Sequence, residues 1–279
     1  MKSRMHKKSW WRNKTDKLNS KRSFFWVFFS LFLVSGSAAL GLLIYKHKKQ
    51  QNQNSDKYTI VALVQSCTQR EHLKNVYLAE LLGLSIDQPT NLYNFSISKA
   101  YKKLSECHLI KEAVIKKISP GTVFVKYSMR EPVAYIGDFT NTAIDNEGYL
   151  FPFKPFFSPK TLPTITLGQK VYDEVRSEKL WGYRIFNKKL NLAHTLVAQL
   201  QKNQGVFVEQ VDLSRMHEES CGKREIIVKV RAVTGRAIYL RLNTNKYFDS
   251  ITRIQQVASL LQQNVSVLDL RIDNLLLLK

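Results

Sequence analysis

The chain is poor in cysteine and in acid, and it lacks the short motifs that most often mark an enzyme. Among 279 residues there are three cysteines, Cys67, Cys107 and Cys221. The number is odd and none are spaced Cys-x-x-Cys, which sets aside the usual zinc and dithiol patterns. No Gly-x-Ser-x-Gly elbow and no phosphate-cradling glycine loop is present. His6, His47, His72, His108, His194 and His217 are scattered without metal-ligand spacing. Glu218-Glu219 and Asp212 fall where a loop is expected, and such clusters are more often solvated charge than an acid/base pair. The sequence therefore reads as a non-enzyme, with no catalytic residue, metal, cofactor or small-molecule substrate expected.

Asp and Glu number 22 against 43 Lys and Arg, for a formal net charge of +21. Such an excess ordinarily suggests nucleic acid. Its distribution argues otherwise. Residues 1–23 hold Lys2, Arg4, Lys7, Lys8, Arg12, Lys14, Lys17, Lys21 and Arg22 against Asp16 alone, giving +8, and the other +13 is spread over the rest of the chain. A basic arm followed by diffuse positive charge is not a groove-shaped footprint, so no nucleic-acid partner is expected.

The segment after the arm accounts for it. Phe24 to Tyr45 is an uncharged run of 22 residues dominated by Phe, Leu and Val, with Trp26 and Tyr45 near its ends. As a helix it spans about 33 Å, enough for a hydrocarbon core of about 30 Å. The basic flank on the N-terminal side outweighs Lys46, His47, Lys48 and Lys49, which places the N-terminus in the cytoplasm by the positive-inside rule. Ser37-Ala38-Ala39 faintly resembles a signal-peptide cleavage site. The apolar run continues past it to Ile44, as a retained anchor should. Beyond the membrane Cys67 and Cys107 could bridge, and three free thiols suit the sequence as well.

Lys46 to Lys57 is polar and rich in Gln and Asn, and reads as a spacer. Order resumes with a strand-like run from Tyr58 to Val64. Helical spacing then covers His72 to Leu84 and Ser96 to Cys107, with Gly83 suited to end the first and Ser96 or Ser98 to cap the second. Leu109 to Ile118 and Thr122 to Met129 read as strands turning at Ser-Pro-Gly. This β-α-α-β-β order describes a small sheet covered by two helices. A Pro-rich hinge from Pro152 to Pro163 precedes a second block. There Arg184 to Asn203 is an amphipathic helix, and Val206 to Leu213, Glu225 to Arg231, Arg236 to Leu242 and Val265 to Ile272 are strands. Asp249 to Gln263 is a further helix, capped by Asp249 or Ser250, with Ile251, Ile254, Val257, Ala258 and Leu261 facing the core. The expected class is thus α+β, with one transmembrane helix ahead of two folded blocks.

Residues 120–152 are the most telling, PGTVFVKYSMREPVAYIGDFTNTAIDNEGYLFP. Arg130 at a strand end is a fixed cation able to hold a carboxylate bidentately. Pro132, without a donor, belongs at a strand terminus or edge. Asp145 with Gly148 is tight-turn chemistry, a side chain for backbone amides and a residue free to take positive φ. These four read first as bracing for a junction. At the far end Val265 to Ile272 and Leu275 to Leu278 suggest a strand pair or a bent strand. A terminal strand leaves one row of N–H and C=O groups open to another chain, and four successive leucines are unusual on an exposed strand. Core packing of a buried strand reads the same way.

Taken in order, several of these elements resemble the bacterial cell-division family FtsQ/DivIB. The quoted elements are Pro120-Gly121-Thr122, Arg130-Glu131-Pro132-Val133-Ala134, Ile144-Asp145 with Gly148, Leu150 and Phe151, Leu162-Pro163 with Gly168, and Leu268-Asp269-Leu270-Arg271. Met129, Ser66-Cys67 and Ser250 depart from that family's common pattern. The resemblance implies a cytoplasmic tail at 1–23, a transmembrane helix at 24–45, a linker at 46–57, a POTRA domain at 58–135 and a β-domain at 136–279. It also implies a scaffold in the cell inner membrane at the division septum, coupling assembly to septal wall synthesis. Its expected partners are division proteins of the FtsB/FtsL type, received by the terminal edge, Ile272, Asp273, Asn274, Leu275, Leu276, Leu277 and Leu278. A membrane-anchored transport or assembly factor carrying a POTRA domain is the alternative reading.

Overall fold

A helix of 48 residues, α1 (His6–Gln53), opens the chain in the computed structural model. The structure describes residues 6–172, 180–202, 206–232, 235–256, 265–272, 275 and 277–278. At 1.5 Å per residue α1 is about 72 Å long, and its stretch Phe29–Gln53 is long and apolar enough to cross a membrane. The helix also runs through most of the expected spacer. No Gly or Pro lies between Lys46 and Gln53, and the Lys and Gln that dominate this stretch are good helix formers.

Contacts divide the chain into two units. One comprises Met1–Ala62, Ile86–Ser96 and Lys117–Val123; the other comprises Leu63–Ser85, Ile97–Lys116 and Phe124–Lys279. In the first, a 3₁₀ turn at Asp56–Tyr58 follows α1. The strand expected over Tyr58 to Val64 is displaced to β1 (Ala62–Cys67). The reason is where the backbone bonds of residues 58–61 go. Tyr58 O accepts from Leu92 N, Ile60 N donates to Thr90 O, and Val61 N donates to Gly121 O. Gly121 is needed at that approach, since a Cβ there would lie 2.1 Å from Thr59 O.

The two expected helices are α2 (Asn75–Leu82) and α3 (Ile97–Glu106). Gly83, at φ 72°, ends α2 with its amide on the last carbonyls. Strands β2 (Ile110–Ile118) and β3 (Thr122–Met129) join β1 in the order β1-β3-β2. In the central β3, Val123, Val125, Tyr127 and Met129 alternate into the interior. The Tyr127 hydroxyl is held between Gln65 Oε1 and Leu73 N.

A nine-stranded mixed sheet makes up most of the second unit. Its strands are β4 (Ala134–Ile136), β5 (Thr142–Ile144), β6 (Leu150–Pro152), β7 (Thr164–Thr166), β8 (Val206–Asp212), β9 (Ile226–Ala232), β10 (Ala237–Leu242), β11 (Val267–Leu270) and β12 (Leu277–Leu278). The order is β12-β11-β10-β9-β8-β7-β4-β5-β6. Two of its parallel neighbours, β7/β8 and β10/β11, are joined through helices, because parallel strands need a crossover. The helices are α4 (Lys188–Gln201) and α5 (Tyr247–Gln256). Leu190, Leu192, Ala193, Leu196 and Leu200 of α4 and Ile251 of α5 share one core with the inward residues of β8 to β11. Asn187 caps α4 through Lys189 N at 2.9 Å, which fixes its start later than Arg184. Ser250 is inside α5 rather than at its cap, with its hydroxyl on Lys246 O. Of the expected core face of that helix, Val257, Ala258 and Leu261 lie outside the described residues.

Candidate functional site

Strand β12 closes one end of the nine-stranded sheet. It pairs antiparallel with β11, Leu268 against Leu278 and Asp269 against Leu277, and has no strand on its other side among the described residues. The segment expected as one strand to Ile272 stops at Leu270. Asp269 Oδ1 accepts from Arg271 N at 3.1 Å, a local bond that takes the chain out of the ladder. Leu275 N then donates to Ile272 O, and Arg253 Nη1 donates to the same carbonyl. Ile272, Leu275 and Leu277 are 55%, 45% and 48% exposed. Ile272 therefore sits in the turn and Leu277 on the strand. Asp273, Asn274 and Leu276 lie outside the described residues.

The face of the sheet beside this edge is ionic. Glu225, at 4% exposure, accepts from Arg241 Nε at 2.8 Å and Arg215 Nη1 at 3.1 Å. Asp269 faces Arg241 across the β10–β11 pair and holds Arg271 Nη2 at 2.8 Å. Burial opposes ionisation of Asp269, but the hydrogen bonds and charge of Arg271, helped by Arg241, hold its pKa below the usual carboxylate value. Glu209 binds Lys229 and Arg231 on the same face. Leu268 and Leu270 point the other way, into the core. The edge thus rests on a strand fixed on both faces. Sequence reasoning missed this cluster because Glu225, just before β9, Arg241 of β10 and Asp269 of β11 are far apart in sequence.

The junction residues converge at the end of β3. Arg130 Nη1 lies 2.7 Å from Asp145 Oδ2 and 3.6 Å from Glu147 Oε2, with the guanidinium 3.8 Å from the centre of the Tyr149 ring. Asp145 Oδ1 accepts from Glu147 N and Tyr149 N, closing the turn around itself. Gly148 has φ 88°, and a Cβ there would meet Ile185 O at 2.5 Å. Pro132 is buried in the connection between β3 and β4, outside either strand. Lys111, at 2.6 Å from Glu147, and Arg184, donating to Glu147 O, complete the cluster. Sequence reasoning does not single out Glu147, Tyr149, Lys111 or Arg184. Glu147 and Tyr149, flanking the turn glycine, were the available signal.

All three cysteines are free thiols. Among the described residues no three His, Cys, Asp or Glu side chains gather as metal ligands do. No protein-family model matches the chain, and comparison with curated proteins gives no significant match.

Proposed function

We propose that the protein is a non-enzymatic, single-pass scaffold of the FtsQ/DivIB type, which binds other division proteins outside the cytoplasmic membrane. In this reading α1 is the anchor, with its basic end in the cytoplasm, and the block after it is a POTRA domain. The terminal edge of the nine-stranded sheet receives partners of the FtsB/FtsL type and so links their assembly to septal wall synthesis. The observation that carries the reading is β12: a two-residue strand, paired on one side only among the described residues, whose neighbourhood exposes Ile272, Leu275 and Leu277. A partner strand adding there would gain backbone bonds from the open row and apolar contact from the leucines.

The test is co-purification of an FtsB/FtsL-type pair with the full chain and with a form lacking residues 273–279. That deletion keeps buried Leu270 and the Asp269–Arg271 pair, so the sheet is expected to fold. Binding weakens at least about tenfold, equivalent to about 1.4 kcal/mol. Undiminished binding by the folded deletion form would move the interface elsewhere, and no binding by either form would remove the family reading of partners.

A further inference from the structure

The first unit is fastened to α1 close above the end of its apolar run, and this inference rests on the reading of α1 as a membrane span. The apolar run ends at Tyr45 and helix continues to Gln53, a rise of about 12 Å. The headgroup layer on one side of a bilayer is about 5–8 Å thick. At that height Asn91 Nδ2 donates to Asn52 O and Ser55 O, both at 3.0 Å. Thr59 bridges to Asn91, and the Tyr58 and Tyr93 rings meet edge-on at 4.9 Å. The unit is a collar on the emerging helix, not a body on a slack tether.

The collar carries apolar side chains that its own packing does not use. Ile86 is 98% exposed, Val61 84% and Ile118 47%. A single exposed apolar residue needs no explanation, but three on so small a body, beside a membrane span, do. Its charge is positive outside the span, with Lys46, Lys48, Lys49, Lys57 and Lys117 against Asp56 and Asp87. Burial lowers the pKa of Lys117, and the nearby charge of Lys49 lowers it further. An anion shared by the two lysines would relieve that repulsion. Apolar residues interleaved with lysines are the pattern that seats a segment at a lipid headgroup boundary.

We propose that this collar rests on the lipid surface that α1 crosses, with Ile86 and Val61 entering the interface and Lys49 and Lys117 set against lipid phosphates. Lipid is preferred to a protein partner because the helix holds the collar within reach of it whatever else is bound.

The experiment places a benzophenone amino acid at Ile86 or, separately, at Phe32 within the apolar run. The full chain is examined in nanodiscs of phosphatidylcholine and phosphatidylglycerol and in native membranes. After irradiation, intact-mass analysis reads lipid adducts against an unirradiated control. Ile86 is almost wholly exposed, so the substitution leaves packing alone. Lipid adducts at both positions, in yields within a few-fold of each other, are expected. Adducts at Phe32 without adducts at Ile86 overturn the proposal while leaving the span. Adducts at neither position overturn the span and the proposal with it. A protein-sized adduct at Ile86 in native membranes, in place of lipid, overturns it in favour of a protein-binding face.

Discussion

Arg130 serves three partners with one guanidinium: the Asp145 carboxylate, the Glu147 carboxylate and the face of Tyr149. The Arg130 and Asp145 side chains are 12% and 8% exposed, so removing the cation strands a carboxylate in a poorly solvated place. Breaking a buried pair from one side costs about 3–5 kcal/mol. Asp145 keeps two backbone donors, Glu147 N and Tyr149 N, which puts Arg130→Met near the low end, about 3 kcal/mol. Thermal unfolding should then show Tm lower by about 6–12 °C. Arg130→Lys recovers only part of this, since an ammonium cannot chelate and stack together. A second residue sets a pH dependence. His194, on α4, has a buried Nε2 without a hydrogen-bond partner among the described residues. Burial lowers its pKa, with Asp145 pulling weakly the other way. The unfolded chain takes up this proton near pH 6.5, before the folded chain does, so stability falls as pH drops through that value and levels off below the folded pKa. His194→Leu should flatten the fall in urea midpoints between about pH 7 and pH 5. Some slope remains from His108, whose pKa is lowered by burial and by Arg130. Parallel curves for parent and variant would exclude His194 as the group.

Elements differ in how far their causes are local, and that decides what could be read from the sequence. The stripes of α2, α3 and α4 and the alternation of β3, β9 and β10 are set within each segment, and each lies within a few residues of its expected place. Ends set by distant partners do not. Strand β1 starts at Ala62 because residues 58–61 bond to Thr90, Leu92 and Gly121. Helix α1 outruns its apolar core because hydropathy marks the span and propensity marks the helix. The three-residue β7 is inserted between β4 and β8, a placement fixed by neighbours about 30 and 45 residues away with no periodic signature of its own. The same division holds at the sites. Asp145 and Gly148 read as a turn because turn chemistry is local, whereas the partner of Arg130 lies 15 residues away. The Glu225–Arg241–Asp269 cluster was not legible, since its three charges are far apart in sequence and only the strand pairing brings them together.

For the whole molecule the consequential question is whether α1 stays attached. A cleaved leader ending near Ala39 would leave the folded units without their span, while a retained helix continues unbroken from the apolar run to the collar at Asn91. The bonds from Asn91 to Asn52 O and Ser55 O lie beyond such a cleavage site and are common to both forms, so the two are told apart at the span itself. The retained form makes a specific chemical prediction. Trypsin cuts after Arg22 and after Lys46, and no Lys or Arg lies between them, so an uncleaved chain gives one peptide covering residues 23–46. That peptide should be recovered intact from the pellet after alkaline carbonate extraction, together with peptides from the nine-stranded sheet. A peptide beginning at Leu40, with the sheet peptides in the soluble fraction, would mean a processed leader. The collar would then lose its height above the bilayer, and the folded units their tether.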